Sequence, residues 1–412
     1  MVLYIQAGTV SHNANYNIPG RILPVIVLSQ FCCTSLWFAG NGVMDDLVYY
    51  FHLKAVALGH LTSTVQFGFI TGTLLFALLS LADRFSPTRV FLVSALAGAL
   101  FNAGVIWEGN SLISLLVLRF FTGLFLAGIY PVGMKIAADY YEQGLGKSLG
   151  FLVGALVIGT AFPHLLRGLT GSLPWRFVLI ATSFLAVSGG LLMFLFVPDG
   201  PYRKPSQKLD LRAFFRIFRN PGLRSAAFGY FGHMWELYAF WAFVPVILKS
   251  HSDLFPGTQF NIPALSFIII GMGGFACVLG GYLSLNLGTR RTASLALLLS
   301  CMCCIVSPFI FFTDSLMITL GFLIFWGLVV IADSPLFSAL VAQSALPELR
   351  GTALTIMNCI GFSITIISIQ VLTFLGNIID PKYIYMLLAA GPVLGLIALY
   401  NKNEVKTPSA VT

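Results

Sequence analysis

Apolar residues run along the chain in long blocks, separated by short polar segments that carry most of the charges. A bilayer hydrocarbon core about 30 Å thick is crossed by about 20 apolar residues in helical conformation. Twelve stretches satisfy that length, near residues 22–44, 61–82, 90–107, 111–134, 148–170, 175–197, 225–248, 264–286, 292–313, 316–341, 353–376 and 382–400. They are numbered spans 1 to 12 in chain order. Strands of a membrane barrel would alternate polar and apolar residues over about ten positions, whereas these runs are apolar all round and rich in Gly, Leu and Phe. The pattern predicts an all-α membrane protein of twelve transmembrane helices.

Composition agrees with a lipid solvent. Of 412 residues 58% are hydrophobic and 9% charged, with a mean hydropathy of +0.90, far from the roughly 25% charged residues of a soluble domain. Short loops rich in Lys and Arg are held on the cytoplasmic side. With the N-terminus inside, the cytoplasmic loops hold Arg84, Arg89, Lys135, Lys147, Arg203, Lys204, Lys208, Arg212, Arg216, Arg219, Arg224, Arg290, Arg291 and Arg350, and the tail adds Lys402 and Lys406. The opposite loops hold Lys54, Arg167, Arg176, Lys249 and Lys382. Both termini are expected in the cytoplasm. The net charge of +8 is then mostly topological bias, and no nucleic-acid partner is expected.

Cysteines 32, 33, 277, 301, 303, 304 and 359 all fall within predicted spans and read as small hydrophobes, so no disulfide or metal framework is expected. The first twenty residues lack the basic flank, apolar core and cleavage site of a signal peptide, and span 1 serves as its own insertion signal.

The longest cytoplasmic loop, 198–224, divides the chain into an N-terminal six-helix bundle, 1–197, and a C-terminal one, 225–412. Within it, LDLRAFFRIFRNPG places Arg212, Arg216 and Arg219 on one helical face and Leu211, Phe214, Phe215 and Phe218 on the other. That is the pattern of a segment lying against anionic lipid, or of a solvated linker with a basic bias, and Asn220, Pro221 and Gly222 stop it. The two halves match at an offset of 204: GLFLAGIYP at 123–131 falls on GLVVIADSP at 327–335, LSL at 79–81 on LSL at 283–285, and Trp37 on Trp241. A duplicated six-helix unit follows.

The loop after span 2, LLSLADRFSPTR, is similar to the signature of the major facilitator superfamily, in which a Gly precedes an Asp-Arg pair and a second Gly and basic residues follow. Asp83, Arg84 and Arg89 match, with Leu79 and Ser86 where the glycines are expected. LRFFTG in span 4 resembles that family's membrane-embedded Arg motif, with Arg119 and Gly123 in place. SLWFAGN and GYFGHMWELYAFW resemble a bacterial subgroup loosely associated with cyanate and nitrate carriers. The resemblance covers nearly the whole chain. It implies a major facilitator fold in which the halves rock about a central cavity lined mainly by spans 1, 4, 7 and 10, with Asp83, Arg84 and Arg89 as gating residues on the cytoplasmic face.

Those four spans each carry a polar stripe at helical spacing. Span 1 aligns Gln30, Thr34, Trp37 and Asn41; span 4 aligns Arg119, Thr122 and Tyr130; span 7 aligns Tyr230, His233, Glu236 and Phe240; span 10 aligns Trp326, Asp333 and Phe337. Trp241 points well away from Glu236 on an ideal helix. A charged group at the bilayer centre costs at least about 2.5–3.5 kcal/mol, so ionisable residues there usually face a cavity and carry ions or substrate. Glu236, with Asp333 behind it, is the expected proton-coupling site. Gln30, Trp37, Asn41, Arg119, Thr122, Tyr130, Tyr230, His233, Phe240 and Trp326 are the expected solute contacts.

Each has a structural alternative. Glu236 can pair with Arg119 or with an amide on a neighbouring helix; Arg119 can lock helix packing; Thr122 can bond back to its own helix; Asp333, before Pro335, can cap a kinked helix. His233 and Glu236 at i, i+3 serve better as hydrogen-bonding partners than as a metal pair. No metal, cofactor or enzymatic constellation is expected, and no Walker-type phosphate loop links the chain to ATP. The expected function is secondary active transport of a small organic, possibly anionic, solute with proton coupling, by a monomer in a bacterial inner membrane in contact with lipids. A proton-driven exporter of drugs or metabolites is the alternative, and a transport-inactive receptor or scaffold is the alternative of another class.

Overall fold

The computed structural model describes residues 18–54, 56–141, 145–170, 173–203, 218–257, 260–346, 349–376 and 378–400, with the backbone alone for 145–147. All regular structure among the described residues is helical. Ten helices are long and apolar enough to cross a membrane, among them Ala57–Leu78, Arg176–Phe196, Pro221–Leu254 and Arg350–Leu375. The shorter Ile22–Thr34 and the 18-residue Pro87–Gly104 stand in the two remaining predicted spans, 1 and 3. Large hydrophobics such as Leu100, Ile113, Phe184, Phe275 and Met317 are exposed, as lipid-facing side chains are.

Several spans are broken where the sequence reading makes them continuous. Span 4 is Leu112–Leu126 followed by Tyr130–Tyr140, and span 10 is Leu316–Ala332 followed by Ser334–Ser344. Pro131 and Pro335 open the second pieces, because proline lacks an N–H to bond back and disfavours helix in the residue before it. The two prolines differ by 204 positions (335 − 131). Packing repeats at the same offset: a Cβ on Gly123 would run into the carbonyl oxygen of Val65, and one on Gly327 into that of Ile269, and 269 − 65 is again 204. Span 2 meets span 4, and span 8 meets span 10, through the same backbone-on-backbone approach.

Span 1 is helical only to Thr34; residues 35–40 form turns before a short 3-10 segment, Asn41–Val43. Span 7, its repeat mate, is one 34-residue helix, Pro221–Leu254. Asn220 caps it, the side-chain oxygen accepting from the N–H groups of Gly222 (2.9 Å) and Leu223 (3.3 Å), and Pro221 sits in the first turn where no N–H is needed. The triplet expected to stop the linker helix thus also starts span 7. The rest of that expected helix with Arg212 and Arg216, the loop residues Lys204 and Lys208, and the tail with Lys402 and Lys406 lie outside the described residues, as does the Lys147 side chain. Across the two halves, span 2 packs on span 11 and span 5 on span 8.

Candidate functional site

Rings from both halves meet in the middle of the structure. Trp37 and Phe38 come from the turns that follow the span 1 helix and Phe69 from span 2; Tyr238 and Trp241 come from span 7 and Phe362 from span 11. Ring centroids of Trp37 lie 4.7 Å from Phe69, 5.8 Å from Tyr238 and 5.7 Å from Phe362. Phe38 lies 6.3 Å from Tyr238 and 6.4 Å from Trp241. All six are buried, at separations where tilted and edge-on rings attract. Trp37 Nε1 donates to Gln66 Oε1 at 3.1 Å.

The break in span 1 frees carbonyls that a continuous helix would use. Arg119 takes them: Nη2 donates to the Trp37 carbonyl at 2.6 Å, and Nη1 to the Leu36 carbonyl and to Asn102 Oδ1, each at 3.3 Å. Asn102 in turn donates to the Leu179 carbonyl, Thr182 and Ser183 on span 6. One buried network therefore ties spans 1, 3, 4 and 6 around the residues that supply Trp37 and Phe38. Among the described residues no carboxylate pairs with Arg119. Thr122 donates to the Leu118 carbonyl of its own helix.

The stripe on span 7 faces spans 9, 10 and 11. Glu236 accepts from Trp326 Nε1 (2.6 Å) and Ser300 Oγ (2.9 Å), and Phe240 lies 4.5 Å from Trp326, centroid to centroid. His233 Nδ1 is 2.8 Å from Asp333 Oδ1, and Asp333 is the hinge residue between the two pieces of span 10. His233 Nε2 and Asp333 Oδ2 are buried with no partner. Tyr230 donates to Asn358 Oδ1 at 3.1 Å. Gln30 is buried with neither amide atom bonded, and Tyr130 is half-buried at the start of the second piece of span 4.

A cavity of about 920 Å³ opens at the end of the bundle marked by Asp46 and Arg167. Asn41, Asp45, Asp46, His164, Arg167 and Lys249 line it with Tyr49, Tyr50, Trp175 and Phe243, so both halves contribute walls. Asn41 and Ala242 lie four residues, about one turn, beyond Trp37 and Tyr238, which puts the aromatic cluster beneath the cavity. Asp46 is tied to Arg167 at 2.8 Å. Asp45 and Lys249 occupy equivalent positions of the two halves (249 − 45 = 204), are exposed, and have no ion-pair partner among the described residues. Of the expected solute contacts, Asn41 lines this cavity, its Nδ2 held by Thr62 Oγ1 at 2.8 Å.

At the opposite end a cleft of about 180 Å³ is lined by Thr73, Phe76, Asp83, Lys135 and, from the other half, Thr352 and Thr355. Asp83 pairs with Lys135 (3.0 Å), which also reaches Asp139 (3.6 Å). Arg84 and Arg89 are exposed, and Arg203 donates to the carbonyls of Asp83 and Phe85. The structure adds Phe38, Phe69, Asn102, His164, Tyr238, Trp241, Ser300 and Phe362 to the residues of interest. Asn102 and Ser300 were visible as polar interruptions of apolar spans, and Trp241 as the repeat mate of Trp37.

The sequence pattern of the Major Facilitator Superfamily matches residues 26–369. The niacin transporter NiaP of Acinetobacter baylyi is 32% identical over 178 residues, a stretch spanning 37% of this chain and 40% of that transporter's length. Among solved structures, the proton:xylose symporter XylE superposes with a TM-score of 0.71 at 13% identity, covering 91% of this chain and 94% of XylE. The human organic anion transporter MFSD10 gives 0.69 at 16%, covering 93% and 100%. A bacterial homologue of the human lysosomal transporter Spinster, inward-facing and unoccupied, gives 0.66 at 16%, covering 92% and 95%. At these identities the structural likenesses establish the fold.

Proposed function

The chain belongs to the Major Facilitator Superfamily, and from that premise we propose that it moves a small organic anion across a bacterial inner membrane by alternating access, coupled to protons. The observation that carries the reading is the cavity of about 920 Å³ walled by both halves and closed beneath by rings from both. That volume lies in the range of small-molecule sites, about 300–1,000 Å³, and aromatic walls with few polar groups suit a flat, weakly hydrated solute. Rocking of one half on the other would part the rings and offer the solute to the far side. In this reading the Asp46 end faces out, the Asp83 end and both termini face the cytoplasm, and 198–224 is the linker between bundles 1–197 and 225–412.

Niacin, the solute named for the A. baylyi relative, is a pyridine carboxylic acid and therefore a flat aromatic anion at neutral pH. The likeness of SLWFAGN to a subgroup associated with cyanate and nitrate carriers carries no substrate over, because the nitrate carriers' Gly-rich helices with paired arginines are not recognisable here, and these smaller anions serve as comparison solutes. Reconstituted vesicles given labelled nicotinate, benzoate, cyanate and nitrate, with and without an imposed pH gradient, test the proposal. Gradient-driven accumulation of one of these supports it; flux of neutral or cationic solutes alone overturns the anion assignment, and no solute flux at all returns the receptor or scaffold reading. Export is the second reading, because Gly150, Gly154, Gly159 and Pro163 of span 5 partly resemble the Gly-Pro motif of the family's antiporters. The direction of proton movement separates the two.

A further inference from the structure

Seven Arg, His, Asp and Glu side chains are buried among the described residues: Arg119, Asp139, His164, His233, Glu236, His251 and Asp333. Six have partners in the protein. Arg119 bonds carbonyls and Asn102, Asp139 meets Lys135, His233 meets Asp333, Glu236 accepts from Trp326 and Ser300, and His251 contacts the Thr313 carbonyl and Thr319. His164 has none. It is 2% exposed, its Nε2 bonds to nothing, and no other hydrogen bond or ion pair joins its ring to a described residue. Buried polar groups nearly always find a partner, because leaving one unmet forfeits its hydration without return.

The place of this ring explains the exception. His164 follows Pro163 within the helix of span 5 and lines the cavity between the halves. Pro163 fixes it against span 1, since its ring and carbonyl fill the space where a Cβ of Gly42 would stand. Asn41, the neighbour of Gly42, lines the same cavity. Arg167, one turn along from His164, is occupied by Asp46, so its charge is already met inside the protein. A polar ring without a protein partner, held in the wall of a solute-sized cavity, is a group whose partner enters and leaves.

We propose that His164 is a solute-contacting residue, donating an imidazole N–H to the anionic group of a small organic acid bound in the cavity between Asn41 and Lys249. The sign of the solute's charge rests on the anion-transport reading above; the position of the contact rests on the unpartnered ring and the cavity.

The experiment uses purified full-length protein and measures two quantities on each variant: the melting temperature without solute, and binding of nicotinate, benzoate and neutral nicotinamide. His164→Leu fills similar space without a donor, and His164→Gln keeps an N–H. The leucine variant is expected to melt at or above wild type, because it removes an unmet polar group, while binding the carboxylate at least tenfold more weakly. The glutamine variant should stay within a few-fold of wild type. His164→Phe, a ring without a donor, repeats the test if the leucine variant does not fold. Equal carboxylate binding by wild type and both donor-free variants overturns the assignment and leaves the transport reading standing. If wild type binds neither carboxylate but binds nicotinamide, the anion reading itself is overturned, and with it the anionic partner proposed for His164. If donor-free variants melt lower and the folded fraction binds as wild type does, His164 is a packing residue and the proposal fails.

Discussion

His233 Nδ1 on span 7 lies 2.8 Å from Asp333 Oδ1 at the break in span 10, each side chain 1% exposed. The contact joins a long helix to the point of span 10 where the chain turns between its two helical pieces. His233 Nε2 and both carboxylate oxygens of Asp333 have no hydrogen-bond partner, whereas both oxygens of Glu236 accept hydrogen bonds. Asp333→Asn is therefore expected to abolish accumulation driven by a pH gradient while preserving solute exchange in the same vesicles. Glu236→Gln should keep both its melting temperature and its gradient-driven accumulation close to wild type, since the amide oxygen can accept from Trp326 Nε1–H while the amide N–H donates to Ser300 Oγ, whose hydroxyl has the Leu297 carbonyl at 3.1 Å as its own acceptor. Full gradient-driven accumulation by Asp333→Asn, with loss in a stable Glu236→Gln, would return the proton to Glu236.

Arg119 holds two carbonyls and one amide oxygen with a planar fork, a geometry that a lysine ammonium cannot reproduce. Hydrogen bonds to charged groups contribute about 1.5–3 kcal/mol each. Arg119→Lys should melt lower than wild type and Arg119→Ala lower still. If solute affinity of the folded fraction stays unchanged in both, the arginine shapes the turn that carries Trp37 and Phe38 without touching solute. Weaker affinity at unchanged melting temperature would make it a solute ligand.

Gly123 and Gly327 each lie against a carbonyl of the neighbouring helix. Alanine at either site should destabilise the protein by a similar amount, about 1–3 kcal/mol, as overpacking of a close contact does. Melting curves of the two single variants check this; a large effect at one position alone would mean that the repeat is not matched in energetics.

Asp45 and Lys249 face one cavity from the two halves. In a protein carrying Asp45→Cys and Lys249→Cys, oxidation is expected to form a cross-link and stop transport, with recovery on reduction, if that mouth closes during the cycle. Asp45→Cys alone and Lys249→Cys alone, each beside the seven native cysteines of which six are buried, are the controls. A cross-link that leaves flux intact would rule out closure between these two positions.

Fusions of a reporter active only outside the cytoplasm should be silent within 200–215 and active within 250–260, because Lys and Arg crowd the loops assigned to the cytoplasmic side. The reverse pattern would invert the orientation and with it the direction in which the cavity opens.

Hydropathy alone located the spans, because a helix in lipid must be apolar over a length that the bilayer sets. Helical spacing correctly put Tyr230, His233, Glu236 and Phe240 on one face, and Trp241 on another. What spacing does not contain is the rotation of that face against its neighbours: Glu236 meets spans 9 and 10, while Trp241 meets Phe38 from the other half. The partners of Arg119 were equally hidden, since carbonyls released by the turns at 35–40 have no residue-type signature. Pro335 alone suggested a kink in span 10, whereas Pro131 in span 4 gained meaning from its match to Pro335 across the two halves. His164 showed no periodic partner at all, and its meaning comes from the cavity beside it.

The matched first spans of the two halves differ in continuity. Span 7, at 34 residues, is one helix about 51 Å long at about 1.5 Å per residue, and its stretch from the Asn220 cap past His233 runs without a break in the hydrogen-bond ladder. Only Pro245, in its last third, interrupts the hydrogen-bond ladder. Span 1 has a joint at 35–40 in the corresponding place, and Arg119 is the pin through that joint. In the alternating-access reading, one half would supply a lever and the other an elbow, a division of mechanical labour between halves matched in sequence.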